Sequence, residues 1–325
     1  MKKFFGVLLA LVLAFSCVTL VACVDKKEET PSEDVAVAVV TLNKDKAVLE
    51  AGGTLELTAT VSPDNATDKT VTWSTSAEAV ATVENGKVTA VSAGTATITA
   101  KAGDKSASCE VTVIDYTAAT LGEWQADRTE PKAWTVSDGK ITLTTSQSPN
   151  NNWYSWQGRK AAVEMEAVSE WKVETTFELT ADVLARDGVR TSVWLNVQDA
   201  EGSTLDWAIA QYFCDIKADE QSALVQNWQW WDSNYKDDQG QTVGKFNNAE
   251  GLTPSEGTHA LTIAFAAGKI TVSIDNQEIA SYELKNGQGQ IVTECKPAEV
   301  ILQSYSYGEE YTVVFGIPVV KYLAD

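Results

Sequence analysis

The residues best suited to binding a ligand are tryptophans that alternate with amides along β-rich segments in the C-terminal two thirds of the chain. In residues 227–232, strict alternation would place Asn227, Gln229 and Trp231 on one face of a strand and Trp228 and Trp230 on the other. In residues 190–198, it sets Trp194, Asn196 and Gln198 against the apolar set Val193, Leu195 and Val197. Flat rings pack on the C–H groups of sugars, and planar amides hydrogen-bond their hydroxyls. The alternative is that these rings simply fill a large core. The predicted groove residues are Trp194, Asn196, Gln198, Asn227, Gln229, Trp231, Gln303, Tyr305, Trp153 and Trp156.

Patterns that would indicate catalysis are weak. His259 is the single histidine, which excludes multi-histidine metal centres and leaves a Ser-His-Asp triad only if this residue alone serves it. His259 opens a predicted strand that resembles one of laminin-G-like domains, in which a histidine often stands at this place, and this resemblance implies a structural role. The other candidates for acid and base chemistry are carboxylates: Glu164, Glu166, Asp206 and Asp215.

No cofactor is predicted, and no metal site is assigned. Residues 232–238 offer carboxylate oxygens from Asp232, Asp237 and Asp238, so a structural calcium ion there is the alternative. Lys236 breaks the spacing of an EF-hand loop.

The charge of the chain restricts its partners. The formal net charge is -20, and removal of Lys2 and Lys3 with a signal peptide would make it -22. Nucleic-acid binding requires a cluster of cations to displace counterions from phosphates, and the sequence has none. The same charge argues against sulfated or uronate-rich glycans. We therefore expect a neutral polysaccharide or a neutral glycan of a glycoprotein as the partner.

The N-terminus has the layout of a secretory signal, with Lys2 and Lys3 before an apolar run that reaches Val21. The sequence LVAC at residues 20–23 resembles the bacterial lipobox, which implies cleavage after residue 22 and lipidation of Cys23. Residues 23–37 would form a charged, flexible tether, and the membrane would be contacted only through lipid. The KEE run at 27–29 resembles the signal that sends Bacteroidota lipoproteins to the outer face. A plain signal peptide or an uncleaved anchor is the alternative.

Residues 38–115 alternate short β-rich runs with turn residues, which predicts a β-sandwich. Cys109, Val111 and Val113 share one parity and should face its core. Asn85 and Gly86 supply a tight hairpin turn. The succession TVTWSTS, VATVENGKVTAVSAGTATITA and CEVTV resembles the group 2 bacterial immunoglobulin-like domain. Such domains act as spacers, adhesin modules or stalks, so the resemblance implies a fold and no activity.

Residues 116–325 carry ten of the eleven tryptophans and are a usual size for one large sandwich. The passage THALTIAFAAGKITVSIDNQEIASYEL holds three predicted strands, joined by hairpin turns at residues 267–268 and 275–276. It resembles the late meander of laminin-G-like and other concanavalin A-like jelly rolls. The predicted fold class is therefore all-β, with an immunoglobulin-like sandwich followed by a jelly-roll sandwich. Residues 150–156 are predicted as a loop that overhangs the groove.

The concanavalin A-like fold hosts glycoside hydrolases, polysaccharide lyases and lectins. Family 16 hydrolases carry glutamate, aspartate and glutamate on alternating positions of one strand, and the run at 164–170 departs from that pattern. We therefore predict a cell-surface glycan-binding lipoprotein that lies beside glycan-processing proteins, and the weak catalytic patterns favour binding over catalysis without deciding between them. A hydrolase or lyase with another acid pair, or an adhesin that contacts a protein, is the alternative.

Overall fold

The computed structural model describes residues 34–146, 155–216, 224–306 and 310–323. These residues form β-strands, joined by turns and one short helix. Within these ranges, no helix has the length and the apolar character of a membrane span. Cys23, Trp153 and most of the predicted tether lie outside the described residues. The predicted all-β fold class is confirmed.

The N-terminal region is a small sandwich built from three sheets, with strand orders β1-β4, β2-β9-β8-β5 and β3-β7-β6. The β2–β9 pair is parallel, and the other pairs are antiparallel. Its strands are β1 (Val39–Leu42), β2 (Lys46–Glu50), β3 (Thr54–Glu56), β4 (Ala59–Ser62), β5 (Thr72–Thr75), β6 (Ala81–Glu84), β7 (Lys87–Ala90), β8 (Gly94–Ala102) and β9 (Lys105–Ile114).

The core of this sandwich follows the alternation in its sequence. Cys109, Val111 and Val113 on β9 are buried together, as predicted. Asn85 and Gly86 both have positive φ and connect β6 to β7, which is the backbone of a tight type I′ hairpin.

The C-terminal region contains most of the strands. They are β10 (Thr117–Ala118), β11 (Thr120–Leu121), β12 (Gln125–Arg128), β13 (Ala133–Ser137), β14 (Lys140–Thr144), β15 (Ser155–Glu164), β16 (Glu170–Leu179), β17 (Arg190–Gln198), β18 (Thr204–Ile216), β19 (Leu224–Asp232), β20 (Lys245–Asn248), β21 (Gly257–Ala266), β22 (Lys269–Ile274), β23 (Gln277–Glu283), β24 (Lys296–Ser306), β25 (Thr312–Gly316) and β26 (Val319–Tyr322). Helix α1 (Ala181–Leu184) begins after Thr180, whose hydroxyl accepts the Val183 N–H.

These strands form two antiparallel sheets that pack face to face as a jelly roll. The back sheet has the order β13-β14-β25-β16-β21-β22-β23, with β26 and β10 attached at β16. The front sheet has the order β11-β15-β24-β17-β18-β19-β20, with β12 paired to β15. Strands distant in sequence, such as β17 and β24, are neighbours, so the front sheet assembles only when the whole region folds.

Large aromatic residues fill the space between the two sheets. Trp171 and Phe177 come from the back sheet and Trp228 from the front sheet, and all three are almost fully buried. The turns at 267–268 and 275–276 have positive φ at both central residues, which confirms the two hairpins predicted from the sequence.

Candidate functional site

The outer face of the front sheet carries the predicted ligand-binding residues. On β19, Trp228 is 1% exposed and packs in the core, so Asn227, Gln229 and Trp231 point to the opposite face. On β17, Val193 is fully buried in the same core, and Trp194 lies on the outer face. The face assignments made from alternation are therefore confirmed.

An open groove of about 400 Å³ crosses this outer face. Its aromatic rings contact one another in two groups. Trp194 lies 5.6 Å from Trp156 and 6.2 Å from Trp207, measured between ring centroids, and Trp231 lies 4.8 Å from Phe246. The residues that line the groove are Arg128, Trp156, Arg190, Trp194, Trp207, Ile209, Trp231 and Phe246.

A row of polar side chains runs across the sheet between the residues that line the groove. Strand register aligns Gln303 on β24, Ser192 on β17, Gln211 on β18, Gln229 on β19 and Asn248 on β20. Gln211 Nε2 donates to Gln229 Oε1 over 2.6 Å, and Gln229 Nε2 donates to Asn248 Oδ1 over 2.8 Å. All of this row except the exposed Asn248 is buried, so it forms a floor beneath the groove. The two amide hydrogen bonds hold β18, β19 and β20 in register, whereas Gln211 Oε1 and Gln303 Nε2 are buried without a hydrogen-bond partner among the described residues.

The predicted residues therefore separate into two sets. Trp156, Trp194 and Trp231 line the groove. Trp156 lies on strand β15 and not on the loop predicted for residues 150–156. The others share the outer face without lining the groove: Asn196, Gln198, Asn227, Gln229, Gln303 and Tyr305.

Of these amides, Asn196 has protein partners in place of a ligand, and Gln303 is buried. Asn196 Nδ2 donates to Glu299 Oε2 over 3.3 Å, and Asn196 Oδ1 accepts the Thr204 hydroxyl over 3.0 Å. Gln303 is 1% exposed. Contact with a ligand in the groove thus falls to indole rings and arginines, while most of the predicted amides support them from below.

Five residues that line the groove were not predicted from the sequence. Trp207 and Ile209 alternate with the buried Ala208 and Ala210 on β18, so the same parity argument could have found them. The remaining three, for which no signal was recognised, are Arg128, Arg190 and Phe246.

Both arginines lie against aromatic rings. The guanidinium carbon of Arg128 is 4.9 Å from the centre of the Trp194 ring. The guanidinium carbon of Arg190 is 5.0 Å from Phe213 and 5.1 Å from Tyr305. Such stacking holds a guanidinium in place while leaving its edge N–H groups directed sideways.

Carboxylates lie beside the groove, on the same outer face. Glu299 Oε1 accepts from Lys160 Nζ over 2.7 Å. Asp127, on β12, pairs in register with Gly158 of β15. Burial raises the pKa of the Asp127 carboxyl, although the charges of Arg128 and Lys160 act in the opposite direction. The side chain is therefore easier to protonate than an ordinary aspartate.

The acids named from the sequence lie elsewhere. Glu164 and Glu166 are exposed at the end of β15 and in the turn that follows. Asp206 is buried at the opposite face of β18, where Asp206 Oδ2 accepts the Tyr282 hydroxyl over 2.6 Å. Burial raises the pKa of Asp206. The side chain of Asp215 lies outside what the structure describes.

His259 and the loop at 232–238 are bonded internally. His259 Nδ1 lies 2.7 Å from Asp275 Oδ2, and His259 Nε2 lies 2.8 Å from the Ser255 carbonyl oxygen, which supports its interpretation as a structural residue. Asp232 and Asp237 each accept backbone N–H groups of their own turns. In the part of the chain that the structure describes, three or more metal-ligating side chains do not converge anywhere.

Comparison with known families identifies the N-terminal region. Residues 36–113 match the family described as "Bacterial Ig-like domain (group 2)", which confirms the resemblance drawn from the sequence. The match covers this region alone.

The curated relatives that match part of this chain are very different from one another as whole proteins, and the matches span only part of their length. A 3-O-alpha-D-galactosyl-alpha-L-arabinofuranosidase of Bifidobacterium longum subsp. longum is 53% identical over 74 residues, which are 22% of this chain and 6% of the relative. An alpha-L-arabinofuranosidase of the same subspecies is 35% identical over 126 residues, 38% of this chain and 12% of the relative. An Ig-like virion protein of Serratia phage KSP90 is 43% identical over 83 residues, 24% of this chain and 32% of the relative.

Solved structures resemble the chain in backbone arrangement. A Bacillus licheniformis beta-glucanase has a TM-score of 0.36 at 13% identity, covering 63% of this chain and 93% of its own. A structure reported with endo-acting O-glycanases of the human gut microbiota has a TM-score of 0.40 at 12% identity, covering 62% of this chain and 92% of its own. At this level of similarity, function is not carried across.

Proposed function

We propose that this protein is a cell-surface carbohydrate-binding lipoprotein that holds a mainly neutral glycan in the groove of its front sheet. One observation carries the proposal. Four tryptophans and Phe246 present partly exposed apolar surface in an open groove that the buried Ile209 also lines, above a buried polar floor. Sugar rings offer C–H faces that pack on such indoles, which makes a chain of pyranoses the class of ligand that fits this surface.

The remaining parts of the chain fit the same proposal. The immunoglobulin-like region, whose family gives no activity, would space the jelly roll from the membrane, and the charged residues before it would act as a tether. Glycan-processing proteins on the same surface would be its neighbours.

The test of binding uses the purified full chain on an array of neutral plant, fungal and mucin-type glycans, followed by calorimetric titration of each hit. We expect binding that weakens when Trp231 is replaced by alanine, since that ring lies on the groove wall. A blank array together with capture of an envelope protein would contradict glycan binding and favour the protein-contacting adhesin.

Lipid attachment at Cys23 has its own test in the native cell. The Cys23→Ser variant is expected to lose incorporation of a fatty-acid analogue, because the thiol is the acceptor in the proposed processing. Cys17→Ser is the matched control, since Phe15 and Ser16 make a poor lipobox, and it should keep the label. Label retained in Cys23→Ser would show that the anchor is wrongly assigned. Protease digestion of intact cells then reports whether the domain faces outward.

The second candidate function is glycoside cleavage, and it rests on the carboxylates beside the groove. Asp127, with its raised pKa, would act as the acid, and Glu299 as the second carboxylate. We expect Asp127→Asn or Glu299→Gln to reduce any turnover by roughly 100-fold with binding retained. Because an acid must be protonated to act, turnover should fall as the pH rises through the pKa of Asp127. Product analysis on every glycan that binds decides between cleavage and binding. If no products form, glycan binding remains the proposed function.

A further inference from the structure

The groove is cationic, although the protein as a whole is strongly acidic. Arg128 and Arg190 both line it, and none of its described lining residues is acidic. The net charge of the chain is -20, so two arginines and no carboxylate along one groove depart from the rest of the molecule. Charges more than about 10 Å away are largely screened at moderate salt, so the field that a bound ligand meets is set by these two arginines together with the charges beside the groove, which are those of Asp127, Glu299 and Lys160.

The position of Arg128 is held by its surroundings. Its φ is +56°, in the left-handed region that residues with a Cβ rarely adopt. This conformation ends β12, and the guanidinium lies over the Trp194 ring. Arg128 Nε is 4.0 Å from Asp127 Oδ2, the limit of an ion pair, and half of the Arg128 side chain is exposed. Donors of the guanidinium therefore remain open to the groove.

Arg190 approaches from the neighbouring strands. It lies on β17 between Tyr305 of β24 and Phe213 of β18, which flank it in register. The polar row containing Ser192 separates the row of Arg190 from the row of Trp194 and Ile209. Arg190 and Arg128 thus enter a single groove beside the same indole platform.

We infer that the groove binds a glycan in which one sugar carries an anionic substituent, a carboxylate or a sulfate ester, held by Arg128 and Arg190 while neighbouring neutral rings stack on the tryptophans. A guanidinium offers paired N–H groups that match the two oxygens of such an anion. This inference rests on the proposed function and refines its ligand. It also agrees with the net charge, since a single acidic sugar in a neutral chain avoids the repulsion that a polyanion would meet.

The experiment titrates the full chain with matched pairs of glycans. The carboxylate pair is 3′-sialyllactose with lactose, and the sulfate pair is 6-sulfo-N-acetyllactosamine with N-acetyllactosamine. We expect one acidic member to bind about 10-fold or more tightly than its neutral partner, as a charged hydrogen-bonded pair allows. The advantage should be lost in Arg128→Gln and in Arg190→Gln, and reduced in Arg128→Lys, which keeps the charge without the fork.

The control is Arg186→Gln. Arg186 follows helix α1 and pairs with Asp182 of that helix at 2.9 Å, away from the groove. This variant should therefore keep the tighter binding of the acidic glycan. Thermal unfolding checks each variant, and the half-exposed Arg128 decides the result if Arg190→Gln does not fold. Neutral members that bind as tightly as acidic ones in every pair, or an advantage that survives both arginine changes, would overturn the inference and leave glycan binding standing. Failure of all glycans, neutral ones included, would overturn the proposed function as well.

Discussion

Replacement of Trp194 by alanine is expected to weaken glycan binding at least about 10-fold and up to about 100-fold, the equivalent of roughly 1.5 to 3 kcal/mol. Trp194 occupies the middle of the aromatic platform, with Trp156 and Trp207 on either side and Arg128 over its face. Its removal deletes one stacking surface, releases its neighbours and frees the Ser192 hydroxyl that accepts its indole N–H over 2.9 Å. Calorimetric titration of the glycan found on the array measures the loss.

The matched control is Trp134→Ala. Trp134 lies on β13 of the back sheet, where it packs against Trp124 with a centroid distance of 5.3 Å, away from the groove. The Trp134→Ala variant should be less stable than the wild type and should bind the glycan with the same affinity. A folded Trp194→Ala protein that binds like the wild type would place the ligand elsewhere.

Replacement of Trp228 by alanine is expected to lower the free energy of unfolding by about 3–5 kcal/mol. Trp228 lies on the same strand as Trp231 but faces the core, where its ring is 5.5 Å from Phe177, 6.0 Å from Tyr212 and 5.2 Å from His259. A cavity of that size between two sheets cannot close, because both sheets are held by their hydrogen-bond ladders. Urea denaturation followed by fluorescence gives the change.

Trp231→Ala serves as the comparison, since Trp231 lies three positions further along the same strand and on its opposite face. Its indole lies in the groove beside Phe246 and is partly exposed, so its loss should change stability far less than the loss of Trp228. Equal destabilisation by the two variants would contradict the assignment of the faces. Together the two variants separate the core-packing role of Trp228 from the groove-lining role of Trp231.

The position of the acids bears on whether the groove binds or cleaves. Glu299 is occupied by Lys160 and Asn196, and the hydrogen bond to Glu299 raises the pKa of Lys160. A carboxylate engaged in this way suits a structural ion pair and also suits a base. Asp127 provides the contrast, because its pKa is shifted upward by burial. This pair is the place to look for catalysis.

The sequence by itself determined the fold class and the two faces of each central strand. Alternation of side chains along a strand is a local property, so Val193 against Trp194 and Trp228 against Trp231 could be assigned without knowing any neighbour. The turns at 85–86, 267–268 and 275–276 were equally local, because each contains a glycine, an asparagine or an aspartate, the residues that best tolerate positive φ.

Only the tertiary structure decided which outer-face residues are open to a ligand. Gln303 lies on a strand far in sequence from Gln211 and Gln229, and strand pairing placed the three in one buried row. Strand β15, at Ser155–Glu164, was not predicted because its glycine and charges hide the alternation, so Trp156 was assigned to a loop. Arg128 enters the groove because its backbone has a positive φ, which no sequence pattern predicts. Alternation follows from the geometry of one strand, whereas exposure depends on the side chains that neighbouring strands bring beside it.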